Sequence, residues 1–71
     1  MSASSYQAEL SSVRSQLEEL RGRVEAIALT YQGTPASAVA TELFDADRAL
    51  TTAGRVIDRA LTALSELAGS Q

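Results

Sequence analysis

The chain has 71 residues, of which nine are acidic and six are basic, so its net charge at pH 7 is −3. A chain of this length forms one small domain with little interior. It contains no histidine and no cysteine, which excludes disulfides, thiolate metal sites and histidine-dependent nucleophile systems. We therefore expect no enzymatic activity, no cofactor and no catalytic or metal site. The sequence instead predicts a function in protein assembly.

Hydropathy and charge exclude two further classes of function. The longest uninterrupted apolar stretch, residues 26–29, is four residues long, whereas a membrane-spanning helix needs about 20. The first residues have neither the basic nor the apolar region of a cleavable signal peptide, so we expect a protein that is cytoplasmic or is exported by another route. All six basic residues are arginines interspersed with acids, which predicts neither nucleic-acid binding nor membrane insertion.

The first predicted helix covers about residues 5–32. Ser4 and Gln7 have the spacing of a capping box, which places the helix start near Ser4. Apolar residues then follow at alternating intervals of four and three, which is the heptad pattern of a coiled coil and not the period-two pattern of a strand. The residues of this predicted seam are Tyr6, Leu10, Val13, Leu17, Leu20, Val24, Ile27 and Tyr31.

A turn is predicted at residues 33–34. Gly33 can adopt the left-handed conformation that ends a helix, and Thr34 can cap the next helix. Pro35 is tolerated in a first helical turn, where its missing N–H costs nothing. Because short loops join antiparallel neighbours, we predict an all-α antiparallel two-helix hairpin whose turn is shaped by Tyr31, Gly33, Thr34 and Pro35.

The second predicted helix covers about residues 35–68 and repeats the heptad pattern. One row of its seam carries alanine at 46, 53 and 60, and small residues at this spacing allow another backbone to approach closely. The residues of the second predicted seam are Ala36, Val39, Leu43, Ala46, Leu50, Ala53, Ile57, Ala60, Leu64 and Leu67.

The two helices differ in the width of their apolar surface. The seam of the first helix is flanked by polar residues, whereas the seam of the second is flanked by residues such as Val56 and Leu61. A wide apolar face indicates contact with more than one neighbour, so we expect the single domain of residues 1–71 to dimerise into a four-helix bundle. The predicted interface consists of Leu43, Phe44, Ala46, Leu50, Ala53, Val56, Ile57, Ala60, Leu61 and Leu64.

The acidic residues are interpreted as members of solvated ion pairs. Arg21 follows Glu18 by three residues, and Arg48 follows Asp45 by three, which is the spacing of pairs on one helical face. Arg14 and Arg21 form a stripe beside the first seam. We interpret these arginines as surface pairing residues, with binding of an anionic ligand as the alternative.

Tyr31-Gln32-Gly33, placed between two long helices, resembles the Trp-x-Gly turn of the WXG100 (ESAT-6-like) proteins, with Tyr31 at the tryptophan position. The alanine-rich run that begins at Pro35 is similar to the second helix of that family, and the use of arginine and alanine resembles that of actinobacterial proteins. The resemblance implies a helical-hairpin dimer associated with type VII secretion. Its implied partners are a second copy or a related hairpin, with a larger secreted protein as a further candidate.

Two functional hypotheses therefore remain open from the sequence. The first is a small WXG100-like adaptor or partner of type VII secretion that binds protein through its second helix. The alternative is a cytoplasmic regulatory hairpin that sequesters a transcription factor, or that binds a nucleotide signal between two hairpins through Arg14, Arg21 or Arg55. Neither hypothesis requires a cofactor.

Overall fold

The computed structural model describes residues 2–69, which form two α-helices and contain no strand. Helix α1 spans Ala3–Tyr31 and helix α2 spans Ser37–Gly69. Contacts such as Arg14 with Asp58 and Arg21 with Asp47 show that the helices run antiparallel. The Cα trace measures 57 × 15 × 13 Å. The predicted all-α helical hairpin is thereby confirmed for this part of the chain.

Helix α1 begins earlier than predicted. Ser2 has an extended backbone (ψ 160°), and its hydroxyl accepts a hydrogen bond from the Ser5 amide at 3.4 Å. Ser2 is therefore the N-cap, and Ser4, the predicted cap, lies inside the helix. The earlier start adds two residues to the helix, and one of them, Ala3, is buried.

The predicted turn residues occupy the connection between the helices. Gly33 has a φ of +74°, the left-handed value that ends α1. The Thr34 hydroxyl donates a hydrogen bond to the Tyr31 carbonyl at 2.6 Å and accepts one from the Ala36 amide at 3.2 Å. Thr34 thus links both sides of the turn, and α2 begins two residues after Pro35, later than the predicted start.

The contact between the helices does not follow the predicted seams. One row of each seam faces the other helix, and on α1 this row also includes Ala3, whereas Tyr31 at its far end is 40% exposed. We call these the central rows, which are Ala3, Leu10, Leu17 and Val24 of α1 and Leu43, Leu50, Ile57 and Leu64 of α2. The second row of contact comes from the neighbouring heptad position. We call these the charged rows, which are Gln7, Arg14, Arg21 and Ala28 of α1 and Ala40, Asp47, Gly54 and Leu61 of α2.

The other row of each predicted seam is more exposed, so the contact within the hairpin combines the central rows with the charged rows. We call the more exposed rows the open rows, which are Tyr6, Val13, Leu20 and Ile27 of α1 and Val39, Ala46, Ala53 and Ala60 of α2. The physical reason is that small residues on the charged rows allow the helices to approach closely: Ala28 is 0% exposed and Ala40 is 3% exposed. The ion pairs between the helices, Arg14 with Asp58 and Arg21 with Asp47, favour the same side of each helix, which is the side of the charged rows.

The hairpin has a very small interior of its own. Among the apolar residues of the described chain, only Ala3, Ala28 and Ala40 are buried, and no large side chain is fully buried. The accessible surface is 4908 Å², compared with about 4,250 Å² expected of a compact monomer of 7.5 kDa. Most of the large apolar side chains therefore remain in contact with solvent.

We expect Gly33→Ala to destabilise the hairpin by about 1 kcal/mol, because an L-residue other than glycine is strained at this positive φ. Urea denaturation followed by circular dichroism measures the decrease in the free energy of unfolding. Gly33→Asn serves as the control and should cost less, because asparagine tolerates the left-handed region. Equal stability of wild type and Gly33→Ala would contradict the turn geometry.

A second prediction compares two helical glycines. A Cβ at Gly54 would lie 2.9 Å from the Arg14 guanidinium carbon, whereas a Cβ at Gly22 would meet nothing within 4 Å. Gly22→Ala should therefore stabilise the protein by about 1 kcal/mol through helix propensity. Gly54→Ala should raise the free energy of unfolding by less, because the Arg14 guanidinium must move away from its position against Gly54 of α2. If urea denaturation shows the same increase in the free energy of unfolding for Gly22→Ala and Gly54→Ala, the close contact of Arg14 with Gly54 is contradicted.

Candidate functional site

The rows define two opposite faces of the hairpin. Neighbouring heptad rows lie about 50° apart around a helix, with the central row between the charged row and the open row. In an antiparallel pair, equivalent rows of the two helices lie on the same side. The two open rows therefore form one continuous surface, the open face, and the charged rows with their ion pairs lie on the opposite side, the charged face.

The open face is apolar along the length of the hairpin. On α1, Tyr6, Val13, Leu20 and Ile27 are each between 42% and 50% exposed. On α2, the small side chains of the open row are bordered by Val56, which is 48% exposed. A contiguous apolar surface of this extent is typical of a protein contact site and not of an ordinary solvent face.

A groove crosses the open face where the first half of α1 meets the end of α2. It has a volume of about 430 Å³ and is lined by Tyr6, Glu9, Leu10, Val13 and Leu64. Four of these side chains are mainly apolar, and Glu9 is the one charged residue in the lining. The groove could thus accept large aliphatic side chains beside a cationic group.

The charged face holds the helices together through two arginines of α1. The Arg14 Nε donates to Asp58 Oδ1 at 2.9 Å, and Arg14 Nη2 donates to Asp58 Oδ2 at 3.4 Å. Arg21 Nη1 donates to Asp47 Oδ1 at 3.0 Å. All three bonds cross from α1 to α2, and the buried Gly54 provides the space for the Arg14 guanidinium.

Acids of α1 complete this cluster. Glu18 Oε1 accepts from Arg21 Nη2 at 2.8 Å, Glu18 Oε2 accepts from Arg14 Nη1 at 3.5 Å, and Glu25 Oε2 accepts from Arg21 Nη1 at 3.1 Å. The hydrogen bond from Arg21 is the main cause that lowers the pKa of Glu18 below its ordinary value of 4.5. The hydrogen bond to Glu18 in turn raises the pKa of Arg21, and the bond to Asp58 raises that of Arg14.

The structure divides the predicted interface residues among three locations. Ala46, Ala53, Val56 and Ala60 lie on the open face. Phe44, four residues after Ala40 and partly buried, lies by helical spacing on the side of α2 that carries Asp47. The remaining residues face α1 within the hairpin: Leu43, Leu50, Ile57, Leu61 and Leu64.

The arginine stripe has a structural role within the hairpin. Arg14 and Arg21 pair with acids of both helices, and the predicted pairs of Glu18 with Arg21 and of Asp45 with Arg48 are present. The sequence pattern places Arg14 and Arg21 beside the seam, but it does not indicate their contacts with Asp58 and Asp47 of α2. The signal that could have revealed it is the matching spacing of Asp47 and Gly54 on the opposite helix.

No helix in residues 2–69 has the length and apolar character needed to cross a membrane. Comparisons with known proteins found no matching family model, no matching curated protein and no matching solved structure.

The pKa of Glu18 predicts a contribution to stability that depends on pH. Its pKa is lower in the folded state than its ordinary value of 4.5, so this stability is present above pH 4.5 and is lost as the pH falls through the folded value. We expect the melting temperature to fall less in Glu18→Gln than in wild type between about pH 6 and about pH 3. Thermal denaturation at fixed ionic strength measures this.

The matched control for that experiment is Glu19→Gln, which removes the same charge from the neighbouring position outside the cluster. This variant should retain the acid sensitivity that Glu18→Gln loses. Identical pH profiles for Glu18→Gln and wild type would contradict the role of the Glu18–Arg21 pair.

Proposed function

We propose that this protein is a protein-binding helical hairpin that completes a four-helix bundle through its open face, as a small WXG100-like adaptor or partner in type VII secretion. The observation that supports the binding role is the position of the open rows. Half of each heptad seam, including Val13, Leu20 and Ile27, lies outside the hairpin contact and at one face.

This division of the seam is expected of half a four-helix bundle. In such a bundle the heptad seam of each helix points to the bundle axis, and each helix also contacts a lateral neighbour through the position beside the seam. Here the central and open rows form the seam, and the charged rows form the lateral contact. Two more helices placed on the open face would cover both seam rows of α1 and α2.

The size of the open face is sufficient for a stable complex. A surface of 57 by 15 Å, the dimensions of the Cα trace, has a projected area of about 850 Å², and a standard protein interface buries about 800 Å² per partner. The apolar side chains that the hairpin leaves half exposed are the ones that this contact would remove from water.

The assignment to type VII secretion is supported by the turn and by the composition of α2. Tyr31 and Gly33 lie at the end of α1 and in the turn, as the family resemblance implies, and the alanine row lies on the open face. Detection of the chain in the culture medium of its native host, and loss of that signal when the secretion ATPase is deleted, would test this assignment.

The alternative of a nucleotide-binding regulatory hairpin has less support. Arg14 and Arg21, two of its three candidate ligand-binding residues, already donate to Asp58, Asp47 and Glu18 within one chain. An anionic ligand would have to displace these carboxylates.

We expect Leu20→Glu to abolish association at micromolar concentration, because it places an unpaired carboxylate in the contact and should weaken binding by at least about 100-fold. Sedimentation equilibrium should give a multiple of the 7.5 kDa chain mass for wild type and the monomer mass for the variant. Helicity measured by circular dichroism verifies that the variant folds.

Leu29→Glu is the matched control, because Leu29 is a similarly exposed leucine of the same helix, 54% against 48% for Leu20, and lies away from the open face. This variant should associate like wild type. A wild-type chain that sediments as a folded monomer, with no related hairpin that binds it, would refute the proposed binding role.

A further inference from the structure

We propose that the hairpin has a second packing, in which both helices rotate about their own axes and the open rows of α1 and α2 face each other. In this closed packing the chain covers its own open face. Two ion pairs between the helices hold the hairpin in the observed packing instead. The inference concerns the chain without a partner, so it goes beyond the proposed function and makes exposure of the open face a regulated property.

The central rows are common to both packings. Each residue turns an α-helix by about 100°, which places the charged row about 40° to one side of the central row and the open row about 60° to the other. A rotation of each helix by about 50° therefore exchanges the charged row for the open row in the contact. Leu17 of α1 and Leu50 of α2, in the central rows, remain between the helices throughout.

The register of the hairpin suits the closed packing without any sliding of the helices. In the observed contact, Arg14 lies against Gly54 and Arg21 pairs with Asp47. The same register places each open-row residue of α1 within about 3 Å, along the helix axis, of an open-row residue of α2. These facing positions are Tyr6 with Ala60, Val13 with Ala53, Leu20 with Ala46, and Ile27 with Val39.

The side chains at these facing positions are complementary in size. The open row of α1 carries large residues, whereas three of the four open-row residues of α2 are alanines. Large residues that face small ones interdigitate and fill the space between helices. The closed packing would also remove from water the four large side chains of α1, which are now between 42% and 50% exposed.

The closed packing exposes little apolar surface in exchange. The buried residues of the charged rows are Ala28, Ala40 and Gly54, and these have small side chains or none. Leu61 is the one large apolar residue of the charged rows. The apolar side chains by themselves therefore favour closure.

Two ion pairs oppose this rotation. Arg14 Nε lies 2.9 Å from Asp58 Oδ1, and Arg21 Nη1 lies 3.0 Å from Asp47 Oδ1. We call these the crossing pairs, because each joins α1 to α2 and breaks when the charged rows turn apart. The pairs of Arg14 and Arg21 with Glu18 lie within α1 and rotate with that helix. They do not distinguish the two packings.

The crossing pairs are weak enough to act as a switch. Their four side chains are between 19% and 54% exposed, and ion pairs of this kind are modest in strength and screened by salt. Loss of the crossing pairs would favour the closed packing, whereas a protein bound to the open rows would select the observed one. The charged face thus controls whether the apolar face is available.

Intramolecular disulfides report which rows face each other, because the native chain has no cysteine. Ala28→Cys/Ala40→Cys joins the charged rows and should cross-link in the observed packing. Val13→Cys/Ala53→Cys joins the open rows and should cross-link only through the closed packing, since a disulfide needs a Cα separation of about 4.4–6.8 Å. Dilute samples and a product of monomer mass exclude disulfides between chains.

Removal of the crossing pairs tests the switch. In the Val13→Cys/Ala53→Cys background, Asp47→Asn/Asp58→Asn should accelerate disulfide formation by about 10-fold, because both crossing pairs are lost with little change of shape. The matched control is Glu42→Gln/Asp45→Asn, which removes the same charge from α2. Asp45 pairs with Arg48 of the same helix, so the control should cross-link at the rate of its parent. Circular dichroism verifies that both variants fold.

The disulfide also tests the link between closure and binding. Oxidised Val13→Cys/Ala53→Cys holds the closed packing covalently and should not associate at micromolar concentration in sedimentation equilibrium. The same variant should associate after reduction. Oxidised Ala28→Cys/Ala40→Cys is the control for the disulfide itself and should associate like wild type.

The outcomes separate this inference from the proposed function. Equal cross-linking rates for Asp47→Asn/Asp58→Asn and its control would overturn the switch and leave the binding role standing. So would equal association of the oxidised and reduced forms of Val13→Cys/Ala53→Cys. If the rate rises as expected but the wild-type chain binds neither itself nor a related hairpin, the closed packing is supported and the proposed function is overturned.

Discussion

Two arginines of α1 that reach across to acids of α2 determine how the hairpin is assembled. Arg14 binds Asp58 with two hydrogen bonds, and Arg21 pairs with Asp47. Individual ion pairs at a protein surface contribute only about 0.2–1 kcal/mol. Their effect here is on geometry, because they select the side of each helix that faces the other. Gly54, Ala28 and Ala40 make this choice compatible with close approach of the two backbones.

This choice of side produces the open face. Since the charged rows occupy half of the contact between the helices, Leu20, Ile27 and the other large residues of the open row remain half exposed. A monomer with these residues in water keeps more surface than a compact protein of its mass. The same division of rows is what the lateral contacts of a four-helix bundle require, so the polar cluster and the apolar surface are consequences of one arrangement. The ion pairs thus determine how the two helices are placed, and the large apolar residues of the open rows are left about half exposed.

The sequence by itself determined the two helices, the turn at Gly33 and the heptad spacing of the apolar residues. These are local properties: a positive φ at glycine, cap residues and the helical period are all set within a few positions of the chain. Which heptad rows face each other was decided only by the tertiary structure, in which Tyr6, Val13, Leu20 and Ile27 of the predicted seam remain about half exposed. The physical reason is that neighbouring rows are rotated by only about 50° around the helix axis. Which row faces the other helix therefore depends on the contacts between α1 and α2. The bond from Arg14 to Asp58 joins residues 44 positions apart, and no periodicity within either helix contains that information.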